Sequence, residues 1–143
     1  ESRADNLPYK TPYELLIMAS LIEKETAHEE DRRDVAAVFR NRLATNMRLQ
    51  TDPAVIYGMG SAYNGKIRRA DLQRDTPYNT YTRYGLTPTP IALPGRAALD
   101  AAAQPSDSKF LYFVSRMDGT GKSQFSHTLE EHNAAVKQYI LKK

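Results

Sequence analysis

The sequence predicts an α+β fold in one compact domain, and three observations support this prediction. Two helical segments follow one another near the amino terminus, at about 11–27 and 29–44. A strand-like run, a glycine-rich turn and a second run between residues 110 and 127 predict a β-hairpin. The middle of the chain shows no regular pattern. Helices and strands grouped in separate blocks are typical of α+β proteins, here with the first helix packed against short strands.

The start of the first helix carries a strong capping signal. In Thr11–Glu14, a threonine N-cap is followed by proline at the first helical position and glutamate at the third. This pattern predicts a helix that continues to about Ala27. The next helix spans about Glu29–Ala44, where apolar residues recur at helical spacing, and Asn46 is suited to a left-handed stop.

The segment from Met47 to Pro94 predicts short strands, turns and one-turn helices around Pro53–Gly58 and Arg69–Leu72. Long ordered loops in a small domain usually carry function, so we expect this irregular middle to form the walls of a substrate groove. A third helix should lie between Gly95 and Pro105.

The carboxyl-terminal part predicts the hairpin and a last helix. The first strand covers Phe110–Val114, the turn Asp118–Gly121, and the second strand Gln124–His127. Thr128, with a glutamate three residues later, forms a second capping box and opens the terminal helix.

Composition limits the possible functions. Among 143 residues, 41% are hydrophobic and 26% charged, which suits one domain covering residues 1–143. The net charge of +3 comes from interspersed charges, so a nucleic-acid partner is not indicated. No run approaches the roughly 20 apolar residues of a membrane span. The chain opens on Glu1, and we expect it to be a piece of a longer protein.

Residue types narrow the chemistry further. The sequence has no cysteine, which excludes disulfides and thiolate nucleophiles. His28, His127 and His132 lack metal-ligand spacing, so we expect no metal. Neither a nucleophile elbow nor a phosphate-binding glycine loop occurs, and we expect no cofactor. Carboxylates remain the main candidates for catalysis.

Glu25 is the carboxylate that helix geometry selects. It follows Met18, Leu21 and Ile22 by seven, four and three residues, so it shares their apolar face. Glu23 lies about 200° around the helix axis from Glu25 and faces a more mixed surface. Apolar surroundings raise a carboxyl pKa, which suits a general acid. On periodicity alone, a partly solvated helix-end glutamate without a function is the more common case.

Polar and aromatic side chains suited to sugars accumulate in the middle segment, because they can stack and form hydrogen bonds at once. An equally good interpretation is that they are core tyrosines and turn formers. Asp52 followed by Pro53 also suits a helix start with aspartate as the N-cap. The polar and aromatic residues of the middle segment that could contact a sugar are Gln50, Thr51, Asp52, Tyr57, Asn64, Tyr78, Asn79 and Tyr81.

Several motifs, in order along almost the whole chain, resemble the YceG-like endolytic murein transglycosylases. The segment 18–27 resembles the active-site helix of that family. Further matching segments are 38–43, 47–53, 55–58, 78–81, 111–114 and 131–133. One departure is Leu93, where many relatives have asparagine before Pro-Gly.

The resemblance implies that Glu25, followed by the hydroxyl residue Thr26, is the catalytic glutamate. It also implies groove or loop-shaping positions at 50–52 and 78–81, and includes His132 and Asn133 among the matching residues.

The reaction implied by the resemblance cleaves the bond between N-acetylmuramic acid and N-acetylglucosamine in peptidoglycan glycan strands. Glu25 would act first as acid and then as base, giving a 1,6-anhydromuramic end. One alternative is a muramidase, in which water attacks with the help of Asp52. Another alternative is a non-catalytic module that binds glycan or docks a synthase.

The resemblance also implies a parent protein with an amino-terminal membrane anchor outside this chain. That parent would work at the periplasmic face of the bacterial inner membrane. Its partners would be peptidoglycan and the penicillin-binding synthases.

Overall fold

The first helix, α1, spans Pro12–Glu25 in a computed structural model that describes residues 7–26 and 28–140. The Thr11 hydroxyl accepts a hydrogen bond from the Glu14 backbone N–H at 3.1 Å, which confirms the predicted cap. The Glu14 carboxylate in turn accepts from the backbone N–H of Lys10 at 2.8 Å, one residue before the cap. Thr26 ends the helix, and the predicted end at Ala27 lies outside the described residues.

The second predicted helix is present but begins with a tighter turn. Glu29–Asp31 form a 3₁₀ turn, and α2 follows over Arg32–Ala44. The chain leaves α2 through Asn46, whose φ of 60° confirms the predicted left-handed stop.

The middle segment contains helices but none of the predicted strands. Its helices are α3 over Asp52–Met59 and α4 over Arg69–Gln73, both near the predicted one-turn helices. The prediction of short strands within residues 47–94, all of which are described, is wrong. The reason is that side chains, rather than a neighbouring strand, bind many of the backbone groups here.

Asn79 shows how side chains replace strand pairing. This fully buried residue donates from Nδ2 to the Leu72 and Arg74 carbonyl oxygens at 3.0 and 2.7 Å. Its Oδ1 accepts from the Tyr81 backbone N–H at 2.8 Å. One amide thus ties the end of α4 to the loop that carries Tyr81.

The assignment of Asp52 as an N-cap is also wrong. Thr51 is the N-cap of α3, and Asp52 and Pro53 are the first two helical residues. Asp52 still favours the helix, because a carboxylate in the first turn interacts well with the helix dipole.

The third helix and the hairpin confirm the predicted order of the carboxyl-terminal half. Helix α5 spans Arg96–Ala103. Strands β1, Tyr112–Ser115, and β2, Ser123–Ser126, pair antiparallel with Phe113 opposite Phe125.

Helix α6 completes the fold over Leu129–Tyr139, and the Thr128 hydroxyl accepts from the Glu131 backbone N–H. This bond confirms the threonine half of the capping box that the sequence predicts at this helix start.

The core forms where α1 lies on its helical neighbours. Met18, Leu21 and Ile22 are fully buried. Burying each such side chain contributes about 1.5–3 kcal/mol. Helix α1 packs mainly on α5, α2 and α3, while the hairpin packs on α2 and α6. The α+β class is confirmed, but helices rather than the predicted short strands form the main contacts of α1.

None of the helices within residues 7–26 and 28–140 combines the length and the apolar character needed to cross a bilayer.

Candidate active site

Glu25 is the last residue of α1 and is half-buried. The Thr51 hydroxyl donates a hydrogen bond to Glu25 Oε2 at 2.6 Å. Within the described residues, the other carboxyl oxygen, Oε1, has no hydrogen-bond partner. Because Glu25 lines an open cleft, Oε1 is the oxygen available to a bound molecule.

The surroundings of Glu25 favour the protonated carboxylic acid. Burial raises its pKa above the usual 4.5 and is the largest cause. The Thr51 hydrogen bond lowers the pKa, and the negative charge of Asp52 raises it. The net result is an acid that keeps its proton to higher pH than an ordinary glutamate.

Thr51 is held in place from its other side by Thr80. The Thr51 backbone N–H donates to Thr80 Oγ1 at 2.9 Å, and the same hydroxyl donates back to the Thr51 carbonyl at 3.2 Å. Both threonines are buried. Gln50, just before, has a φ of 53°, an uncommon value for a residue other than glycine. The Thr51 hydroxyl therefore meets Glu25 from a fixed backbone.

Asp52 and Tyr81 form a second polar pair in the cleft. The Tyr81 hydroxyl donates to Asp52 Oδ1 at 2.5 Å. Burial, followed by this hydrogen bond, raises the pKa of Tyr81, so it remains a neutral phenol. Asp52 itself is exposed.

The cleft has a volume of about 510 Å³, a size typical of ligand sites. The hairpin contributes residues that include Phe113, Ser115 and Ser123 to its lining. The cleft brings together five residues predicted from the sequence: Glu25, Gln50, Asp52, Tyr81 and His132.

His132 reaches the cleft from α6. Its ring stacks on Tyr112 with centroids 5.0 Å apart and planes 22° apart. Burial and the charge of Arg42 lower the pKa of His132, which leaves the imidazole neutral at pH 7. Its Nδ1 is buried without a hydrogen-bond partner in the described part of the chain.

Arg42 also lines the cleft and was not predicted as a site residue. This buried residue donates from Nε to the Leu111 carbonyl at 2.7 Å and from Nη1 to the Arg48 carbonyl at 2.8 Å. Its guanidinium lies over the Tyr112 ring. The sequence contained a signal, because Arg42 continues the apolar stripe of Val35 and Val38.

The remaining predicted residues lie outside the cleft lining. Tyr57 and Tyr78 pack on each other with ring centroids 5.0 Å apart. Asn64 is exposed in the turn before Gly65, and Asn133 is exposed on α6. Thr51 and Asn79 are buried and act on the cleft through the contacts described above.

In residues 7–26 and 28–140, no group of three or more histidine, aspartate or glutamate side chains is arranged to hold a metal ion.

The fold and the cleft define a small α+β protein with a glutamate of raised pKa at the end of a buried helix. A model described as the YceG-like family matches residues 1–138, and the chain belongs to this family.

Three relatives show the same relationship. The chain is 45% identical over 131 residues to the endolytic murein transglycosylase of Bacillus subtilis, covering 92% of this chain and 36% of that protein. It is 37% identical over 134 residues to the protein of that name in Streptococcus pneumoniae D39. A crystal structure of a YceG-like protein from Listeria monocytogenes superimposes with a TM-score of 0.79 at 48% identity, covering 85% of this chain and 39% of that chain.

The chain spans between 24% and 36% of the length of these curated relatives.

Proposed function

We propose that residues 1–143 are the catalytic domain of a lytic transglycosylase that cleaves within peptidoglycan glycan strands. The observation that carries the proposal is the environment of Glu25, a half-buried carboxyl group that lines the cleft, whose pKa burial raises and whose Oε2 accepts a hydrogen bond from Thr51. Two relatives that match over more than 90% of this chain are named endolytic murein transglycosylases, which supports the reaction class.

The proposed reaction needs only one carboxyl group. Glu25 donates its proton to the glycosidic oxygen of the β-1,4 bond between N-acetylmuramic acid and N-acetylglucosamine, and that bond breaks. The acetamido group of the muramyl sugar stabilises the positive charge that develops at C1. Glu25, now a carboxylate, takes the proton from the C6 hydroxyl, whose oxygen bonds to C1. The product is a 1,6-anhydro ring, and no water is consumed.

The contacts of Glu25 suit both halves of this cycle. Because Oε2 accepts the Thr51 hydrogen bond, the proposal places the acid proton on Oε1, the other oxygen of a residue that lines the cleft. After the proton leaves, the same hydroxyl stabilises the carboxylate until it accepts a proton again. Thr51 is therefore a positioning residue, since it acts through Glu25.

Asp52 supports a second candidate function. It lines the same cleft as Glu25, and two carboxyl groups beside a glycosidic bond are the usual arrangement in glycosidases that use water. In such a muramidase, Asp52 would direct the water. The hydrogen bond from Tyr81 favours the first proposal, because it occupies an oxygen of Asp52.

Within the proposed site, Gln50, Tyr81 and His132 are assigned contact with the sugar, because they line the cleft. Roles for Tyr57, Asn64, Tyr78, Asn79 and Asn133 in substrate binding stay predictions. The same holds for a membrane anchor in the parent protein, its location at the periplasmic face of the inner membrane and its binding to penicillin-binding synthases.

A digest of purified peptidoglycan tests the role of Glu25 directly. The variant Glu25→Gln should cut at least roughly a thousandfold more slowly than wild type, because the amide cannot transfer the proton. The matched control is Glu23→Gln, two residues earlier on the same helix. Glu23 is exposed, and its Oε1 accepts a hydrogen bond from the Gly95 backbone N–H at 2.9 Å. Because this carboxylate is not part of the cleft lining, removing its charge should leave the rate of cutting almost unchanged.

The products should end in 1,6-anhydromuramic acid, as identified by mass spectrometry. Glycan left intact by wild type, cutting by Glu25→Gln at the wild-type rate, or an equal loss in Glu23→Gln would each contradict the proposal.

A further inference from the structure

A second pocket of about 360 Å³ opens beside the catalytic cleft. Arg42 and Gln50 line both cavities, so the two adjoin at these side chains. A polymer bound across Glu25 therefore has a side pocket within reach of one of its substituents.

The side pocket is positively charged. Its lining includes Arg42 and Arg48 and no aspartate or glutamate. Neither arginine forms an ion pair with a carboxylate among the described residues. Arg48 Nε is buried and lacks a hydrogen-bond partner in the same part of the chain. A buried donor without a partner is uncommon in proteins and indicates a ligand or water at that position.

Two tyrosines hold the arginines in place. The Arg48 guanidinium lies 4.5 Å from the centre of the Tyr84 ring, and that of Arg42 lies 5.0 Å from the Tyr112 ring. Tyr84 is 56% exposed, although it is a large aromatic residue. Stacking on a ring fixes the plane of a guanidinium, and a fixed guanidinium is well suited to binding a carboxylate.

We propose that this side pocket binds a carboxylate-bearing substituent of the muramyl sugar, with Arg48 as its main ligand. The inference rests on the proposed function. Both sugars of the strand are otherwise uncharged, and the group on C3 of the muramyl sugar carries its carboxylates. That group has two forms, a peptide stem with its own carboxylates or the free lactyl carboxylate of a strand without stems.

The test measures binding in the Glu25→Gln background, so that no probe is cut. Three probes are titrated: chitotetraose without a carboxylate, a tetrasaccharide of alternating N-acetylglucosamine and N-acetylmuramic acid without stems, and the same tetrasaccharide with tetrapeptide stems. The signal followed is the Nε–Hε resonance of Arg48 in nitrogen-15 NMR. The same titrations are repeated with Arg48→Gln and with Arg96→Gln, whose arginine is 93% exposed and outside the pocket.

At least one carboxylate-bearing probe should bind roughly tenfold more tightly than chitotetraose and shift the Arg48 resonance. Arg48→Gln should remove this difference and leave the affinity for chitotetraose unchanged, while Arg96→Gln should change neither. A gain already present without stems identifies the lactyl carboxylate, and a gain that needs stems identifies the peptide.

Equal affinity for all three probes, an equal loss on all three in Arg48→Gln, or no binding of any probe would overturn the proposal. These outcomes are separate from a failure of the proposed function. Selective binding by a chain that cuts no glycan would refute the reaction and keep the pocket. Cutting that depends on Glu25, with no selectivity among the probes, would refute the pocket and keep the reaction.

Discussion

Removing the Thr51 hydroxyl should make Glu25 a weaker acid. Thr51→Val keeps the size of the side chain and the backbone bond to Thr80, and it deletes only the donor to Glu25 Oε2. This hydroxyl stabilises the carboxylate more than the carboxylic acid and so lowers the pKa of Glu25. Without it, burial and the charge of Asp52 act unopposed, and the pKa of Glu25 rises further.

The size of the effect follows from the geometry. The bond is 2.6 Å long and its donor is a fully buried residue. Hydrogen bonds to a charged group contribute about 1.5–3 kcal/mol, and about 1.4 kcal/mol equals a factor of ten. Thr51→Val should therefore lower the ionisation constant of Glu25 by roughly ten- to a hundredfold.

A carbon-13 NMR titration of the Glu25 carboxyl measures this constant without any need for activity. Thr51→Ser is the matched control, because it keeps the hydroxyl and should restore a midpoint near that of wild type. A Thr51→Val midpoint that stays at the wild-type pH, or moves to lower pH, would show that the hydrogen bond does not control this acid.

Three further predictions concern stability. Burial raises the pKa of Glu25, so the stability that its acid form provides is complete below the usual pKa of 4.5 and is lost as pH rises through the raised value. The free energy of unfolding of Glu25→Gln, measured in urea and compared with that of wild type, should therefore become larger as the pH rises from 4 to 8. A difference between the two that stays constant over this range would contradict the prediction. Asn79→Ala should cost about 2 kcal/mol or more in the same assay, because it leaves buried backbone groups unpaired. The exposed Asn64→Ala should change stability by less than about 0.5 kcal/mol, and equal losses would refute the role of Asn79. Gly58→Ala should lower the thermal midpoint at a cost of about 1–3 kcal/mol, because its Cβ would lie 2.9 Å from Tyr78 Cβ; an unchanged midpoint would contradict this clash.

Local signals in the sequence predicted the parts of the fold that depend on local physics. The caps at Thr11 and Thr128 and the left-handed stop at Asn46 all appear where the sequence places them. Helical spacing also placed Glu25 on the buried face of α1, since that position depends only on helix geometry.

Contacts between distant segments could not be predicted in this way. The bond from Thr51 to Glu25 joins residues 26 positions apart, and Thr80 fixes Thr51 from a further 29 positions away. The strands expected in the middle segment are absent because a buried amide, Asn79, satisfies backbone groups that a strand would have paired. The site role of Arg42 could not be predicted, because helical spacing explains its burial on α2 without any contact to the cleft.

The most direct test of the central claim is a digest of peptidoglycan in water enriched in oxygen-18, with the new muramyl ends analysed by mass spectrometry. If Glu25 drives closure of the ring by the C6 hydroxyl, the new ends carry no oxygen-18 and are lighter than reducing ends by one water. Asp52→Asn should then give the same products. New ends that carry oxygen-18, and that disappear in Asp52→Asn, would contradict the transglycosylase and establish a hydrolase that uses both carboxyl groups.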